Sequence, residues 1–152
     1  MPRFLLSRYR IPITLAILVV AIDLGSKQFV HQHLHGTLNA AGFISLVPTS
    51  NSGFSFSALS GHTAVTVVLA ITGLLFCVRL LARVESKVAT VGLAIIIGGG
   101  VSNLVDRALH TGQVSDFIAV STWFVCNGAD IAISLGVVLV LVPFCTGRKV
   151  LH

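Results

Sequence analysis

Four apolar runs divide the chain, at Ile11–Leu24, Ala64–Leu81, Val88–Val105 and Ala129–Phe144. Each approaches or reaches the roughly 20 residues that span a bilayer's hydrocarbon core. They predict a membrane all-α fold in one domain, with four transmembrane helices at about 11–28, 64–81, 88–108 and 128–144. The first and fourth reach full length only if their polar ends are helical too. Pro12 and Pro143 lie near helix ends, where proline is tolerated. The first run has the basic flank of a signal peptide. Asp23 and Lys27 follow it instead of a small-x-small site, so it reads as a permanent helix.

The segments between the runs carry a different pattern. Phe43-Ile44-Ser45-Leu46-Val47 and Phe54-Ser55-Phe56 predict short extended pieces, with Pro48 and Asn51-Ser52-Gly53 as turn residues. A small β element in the first outer loop is expected. The stretch at 113–126, with Trp123 and Phe124, is apolar but too short to span. It is expected to lie in the interface before helix four, where aromatic residues are favoured.

Composition agrees with lipid as the solvent. The chain of 152 residues is 55% hydrophobic and only 10% charged, against about 25% charged in soluble domains. The net charge of +5 raises the question of nucleic acid. The cations form separate clusters, however: Arg3, Arg8 and Arg10; Arg79, Arg83 and Lys87; Arg148 and Lys149. Apolar runs part them, so no continuous face fits a phosphate backbone, and no nucleic-acid partner is expected. They read as topology signals. The loops at 31–62 and 108–126 hold no Lys or Arg. Both termini are therefore expected in the cytoplasm and the two bare loops outside. Cys77, Cys126 and Cys145 are an odd, scattered set and make no disulfide framework.

On that topology the acids converge. Asp23 and Lys27 share one face at the outer end of helix one. Asn103, Asp106 and Arg107 share a face at the outer end of helix three. Asp116 follows in the second outer loop. Asn127 and Asp130 share a face at the outer end of helix four, with Ser134 one turn deeper. Only Glu85 lies at the other side. Ionisable groups near a bilayer are costly and point to function. Along helix three, Ala89, Gly92, Gly99 and Asn103 form a small-residue stripe that predicts close helix packing.

These residues resemble the motifs of the lipoprotein signal peptidase (signal peptidase II) family. Five blocks occur in order between about residues 11 and 144: Asp23-x-x-x-Lys27, Asn51-Ser52-Gly53-Phe54-Ser55-Phe56, Gly99-Gly100-Val101-Ser102-Asn103-Leu104-Val105-Asp106-Arg107, Val114-Ser115-Asp116-Phe117-Ile118 and Asn127-Gly128-Ala129-Asp130. The resemblance implies an aspartyl endopeptidase of the bacterial cell membrane. Such an enzyme removes signal peptides from prolipoproteins just before a diacylglyceryl-modified cysteine. It also implies that Asp116 and Asp130 are the catalytic pair. Asp23, Lys27, Asn51, Gly53, Asn103, Asp106, Arg107, Asn127 and Ala129 then bind substrate or support the site. Membrane lipids are expected partners, the active site is expected at the extracytoplasmic leaflet, and no cofactor or metal is implied; a monomer is expected. The chain departs from the family pattern in three places. Ser115 replaces an aliphatic residue, Phe54 an alanine, and Trp123-Phe124-Val125-Cys126 a Trp-Pro-x-Phe.

The chemistry fits two carboxylates. Peptide hydrolysis needs a base to activate water and an acid to protonate the leaving nitrogen. Two close carboxyls resist double ionisation, so one keeps a proton. Arg107 is expected to pair with Asp23 or Asp106, and Lys27 with Asp23 or lipid headgroups. Three other readings stand beside this one. Cys126 with His110 would make a thiol protease. His31, His33 and His35 would share one side of an extended segment and hold a metal. A bundle with intramembrane Asp and Arg would form an ion or proton pathway, although the inner halves of the helices are nearly bare of charge.

Overall fold

The computed structural model describes residues 2–51 and 63–146, with side chains from residue 8 onward apart from that of Phe144. The described residues form four helices and one sheet. In chain order they are α1 (Pro2–His33), β1 (Leu38–Ala41), β2 (Ile44–Asn51), α2 (Thr63–Arg83), α3 (Lys87–Leu109), β3 (Val114–Val120), β4 (Phe124–Cys126) and α4 (Gly128–Cys145). Three helices are long and apolar enough to cross a membrane, and the apolar stretch of α4, Gly128–Pro143, is shorter. Large apolar side chains such as Ile17, Ile22, Val68, Phe76 and Val138 stand exposed along them. Such faces suit a hydrocarbon solvent and not water.

α1 exceeds the expected span at both ends. Its first turns carry the basic cluster and its last turns carry His31 and His33. A helix satisfies its own backbone whether or not its side chains are apolar, so hydropathy underestimates its length.

α3 is the central helix, and its small residues explain why. A Cβ added at Gly98 would lie 2.8 Å from the Ala16 carbonyl oxygen of α1. One at Gly99 would lie 2.7 Å from the Ala129 carbonyl oxygen of α4, and one at Gly92 2.7 Å from that of Gly136. One at Gly100 would meet the Leu74 side chain of α2 at 2.8 Å. The glycines thus let three helices approach one backbone closely, which is the packing route available in lipid.

The sheet is antiparallel throughout, in the order β1-β2-β3-β4. It corrects the expectation of a separate interfacial segment at 113–126. That stretch folds as β3 and β4, and β3 pairs with β2 from the first connecting segment. Its backbone groups are satisfied by a partner more than sixty positions earlier, which no local pattern reveals. Pro48 is also not in a turn. It lies within β2 where the β2–β3 register shifts between Leu46 and Thr49, a place for a residue with no N–H to give. Gly53 and the Phe54-Ser55-Phe56 piece fall outside the described residues.

Candidate active site

Two groups of acids occur where α1, α3, β3 and the start of α4 meet. The first is built around Lys27. Its ammonium group lies 2.7 Å from Asp23 Oδ2 and 3.2 Å from Asp106 Oδ2, and it donates to Asn103 Oδ1 at 2.9 Å. Lys27 is 4% exposed, and Asp23 and Asp106 are each 1% exposed. Asp23 Oδ2 also accepts the Ser102 hydroxyl at 2.7 Å, and its Oδ1 accepts the Ala129 N–H at 2.7 Å. Asp23 therefore binds the first turn of α4, where a carboxylate meets unpaired N–H groups and the positive end of the helix dipole. Asp106 Oδ2 accepts the Ser115 N–H at 2.8 Å and Oδ1 pairs with His110 at 2.7 Å. It thereby fixes the start of β3 against α3.

The second group is Asp116 and Asp130. Asp116 is on β3, opposite Thr49 of β2, whose hydroxyl donates to the Asp116 carbonyl at 2.9 Å. Its carboxylate accepts Asn51 Nδ2 at 3.0 Å and Asn127 Nδ2 at 2.6 Å, one on each oxygen. Asp130 is in the first turn of α4. Its Oδ1 accepts Asn103 Nδ2 at 3.0 Å and its Oδ2 accepts the Asn127 N–H at 3.3 Å. Asn127 Oδ1 in turn accepts the Asp130 N–H at 3.0 Å. Asn127 and Asp130 thus cap the helix reciprocally, as in a capping box. One side chain, Asn127, ties the end of α4 to the strand that carries Asp116.

Lys27 orients Asn103, and Asn127 Nδ2 adds a second donation to the same Oδ1 at 3.3 Å. An ammonium group only donates, so the amide must turn its oxygen to Lys27 and its nitrogen to Asp130. The lysine cluster thereby sets which face of Asn103 meets the second group.

Asp116 and Asp130 line one cavity of about 480 Å³ with Asn51, Asn103, Arg107 and Cys126. Its walls continue along α4 through Ile131, Ser134, Leu135 and Val138. The polar end thus opens into an apolar trough. Burial raises the Asp116 carboxyl above the usual carboxylate range; the Asn51 bond opposes this, and the charge of Asp130 adds to it. Cys126 lines the same cavity. Burial first, then the Asp130 and Asp116 charges, push its thiol up to about 11. At neutral pH its thiolate fraction is on the order of one in ten thousand, a poor state for a nucleophile.

A sequence model described as signal peptidase (SPase) II matches residues 15–146. The chain belongs to the signal peptidase II family. It is 34% identical over 140 residues to a lipoprotein signal peptidase of Photorhabdus laumondii, covering 84% of this chain and 83% of that protein. It is 33% identical over 148 residues to one of Rhodopseudomonas palustris, covering 87% and 90%. Two solved structures, both described as bacterial membrane enzymes determined by the in meso method, share the fold. The first has a TM-score of 0.81 at 23% identity, covering 89% of this chain and 87% of that one. The second has a TM-score of 0.77 at 23% identity, covering 88% and 91%. Family membership makes the chain a peptidase, and with its apolar helices a multi-pass bacterial membrane protein.

Within this signal peptidase II framework most of the expected residues come together. Asp23, Lys27, Asn51, Asn103, Asp106, Asp116, Asn127, Ala129 and Asp130 all belong to the two linked groups. Ala129 takes part through its backbone N–H alone. Arg107 differs from expectation. Asp23 and Asp106 are taken by Lys27, and Arg107 Nη1 donates to the Asn103 carbonyl at 3.3 Å. The shorter reach of Lys27 suits a dry centre flanked by two carboxylates, and Arg107 extends to the cavity wall instead. His31 and His33 are on α1, where residues two apart point to nearly opposite sides. The extended three-histidine arrangement is therefore not formed, and the His33 ring stacks on Phe29 at 4.6 Å. Sequence reading missed Ser102, fully buried on Asp23. Its position four residues before Asp106, and so on the same face of α3, was the available signal.

Proposed function

We propose that this chain is an aspartyl endopeptidase that cuts diacylglyceryl-modified prolipoproteins just before the lipidated cysteine, with Asp116 and Asp130 as the catalytic pair. The observation that carries the assignment is the contrast between the two groups of acids. Asp23 and Asp106 share a lysine counterion in a dry centre. Asp116 and Asp130 are held by asparagine amides at the polar end of a cavity. Amides orient a carboxylate without fixing its charge, so this pair can share one proton and pass it on.

The ionised carboxyl takes a proton from a water held between the two. The protonated one first polarises the scissile carbonyl and later gives its proton to the leaving nitrogen. Which carboxyl starts protonated is a property of the pair. Asn51, Asn103 and Asn127 hold both side chains in the reactive arrangement, a pre-organisation that lowers the barrier. The apolar trough along α4 takes the hydrophobic parts of the substrate. By the basic-loop pattern, the reacting groups face the extracytoplasmic leaflet and both termini the cytoplasm.

The test offers the protein a diacylglyceryl-modified prolipoprotein and its unmodified counterpart. Cleavage of the modified form alone supports the reading, and equal cleavage of both overturns the substrate assignment. Asp116→Asn and Asp130→Asn should each abolish cleavage while the protein remains inserted. Near-normal turnover by either variant removes that residue from the pair.

A further inference from the structure

A second built groove lies at the opposite end of the bundle from the carboxylates. It has a volume of about 640 Å³ and runs between the first turns of α1 and the turn joining α2 to α3. Arg8 Nη2 donates to the Val84 carbonyl at 2.8 Å and holds α1 against that turn. The same guanidinium lies 5.8 Å from the centre of the Tyr9 ring. Lys87, in the first turn of α3, lines the groove opposite, where the positive end of the helix dipole favours an anion. Glu85 is exposed on the same rim, and the two cations outnumber it. The floor is apolar, with Pro12 and Val84 buried and Val91 beside them. From it the lipid-facing side of α1 continues through exposed Ile11 and Ile13.

We propose that this groove holds an anionic phospholipid, its phosphate between Arg8 and Lys87 and its acyl chains along the apolar floor and α1. Charge complementarity selects the head, and the unbroken passage from cationic rim to apolar helix face selects a lipid over a free anion. One guanidinium N–H is committed to Val84, and the fork retains further donors for phosphate oxygens. The Arg8–Val84 bond also keeps α1 against its neighbours at this end of the bundle.

Native mass spectrometry of the full chain from detergent micelles tests this, using phosphatidylglycerol and phosphatidylcholine as probes. The wild-type chain should retain phosphatidylglycerol in preference. Lys87→Gln should weaken that retention about fivefold, the effect of one cation near an anionic lipid. Arg79→Gln removes an equal charge from an exposed position on α2 outside the groove and should change it less than about twofold. Lys87 is exposed, so its neutral variant keeps the fold, which unchanged prolipoprotein cleavage would report. Equal losses in the two variants, or no lipid preference in the wild type, overturn the proposal. Displacement of phosphatidylglycerol by inorganic phosphate would make the site one for a free anion and overturns it equally.

Discussion

Replacing Lys27 by methionine tests whether the buried lysine is the counterion on which the bundle end depends. The methionine keeps most of the apolar stem, so the main change is loss of the ammonium group. Three contacts disappear, to Asp23 Oδ2 at 2.7 Å, Asp106 Oδ2 at 3.2 Å and Asn103 Oδ1 at 2.9 Å. Both carboxylates are 1% exposed, so water cannot replace the cation. Removing one partner of a buried ion pair costs about 3–5 kcal/mol. The expected destabilisation is in that range, read from denaturant unfolding in mild-detergent micelles. The double variant Lys27→Met/Asp23→Asn should recover at least half of it. The neutral amide can still accept from the Ala129 N–H, and the Ser102 hydroxyl can turn to accept from the new amide nitrogen. A single variant within about 1 kcal/mol of the wild type would refute the counterion argument. A double variant no more stable than Lys27→Met would show that the uncompensated Asp23 charge is not the source of the loss. Turnover should fall in the single variant, because Asn103 Oδ1 loses the shorter of the two donations, from Lys27 and from Asn127, that keep its nitrogen toward Asp130.

Further outcomes are expected at Asp116, Gly99 and Cys126. The raised Asp116 carboxyl keeps its proton above the usual carboxylate range, so the pH profile of cleavage should be displaced upward from two ordinary carboxylates. Asn51 donates to the ionised form and opposes the rise, so Asn51→Ala should move the profile further up; a downward move would contradict the sign. Folding follows the same linkage. The protonated folded carboxyl contributes stability that is complete below the unfolded value of about 3.9 and is lost as pH rises through the folded one. Gly99→Ala places a methyl 2.7 Å from the Ala129 carbonyl oxygen and 2.9 Å from Ile133. Overpacking against backbone should cost about 1–3 kcal/mol and lower turnover by shifting Asp130 with its helix; wild-type stability and rate would show that α3 and α4 are not so closely packed. Cys126→Ala should keep activity within about threefold, since a thiol held near 11 is not a nucleophile at neutral pH; complete inactivation would restore the thiol reading.

Much of this site was legible in the sequence because its spacing is helical. Asp23 with Lys27, Asn103 with Asp106, and Asn127 with Asp130 are three or four residues apart, which is sufficient to place each set on one helix face. The glycines of α3 announced close packing in the same way. The apolar runs located the helix centres but not the ends of α1, whose polar turns carry no hydropathy signal.

Tertiary structure decided which acids stand together and what charge they meet. Asp23 and Asp106 could have served Arg107 as well as Lys27 by spacing alone, and only the packing of α1 on α3 gave them to the lysine. The role of Ala129 is a backbone N–H aimed at a residue 106 positions earlier, which side-chain chemistry cannot announce. Asp116 gained its Asn51 partner because β3 pairs with β2 across the intervening helices. Periodicity is a property of a segment with itself, so sequence specified faces. Partners depend on which faces meet, and that is settled by burying charge, satisfying backbone groups and closing helices on glycine all at once.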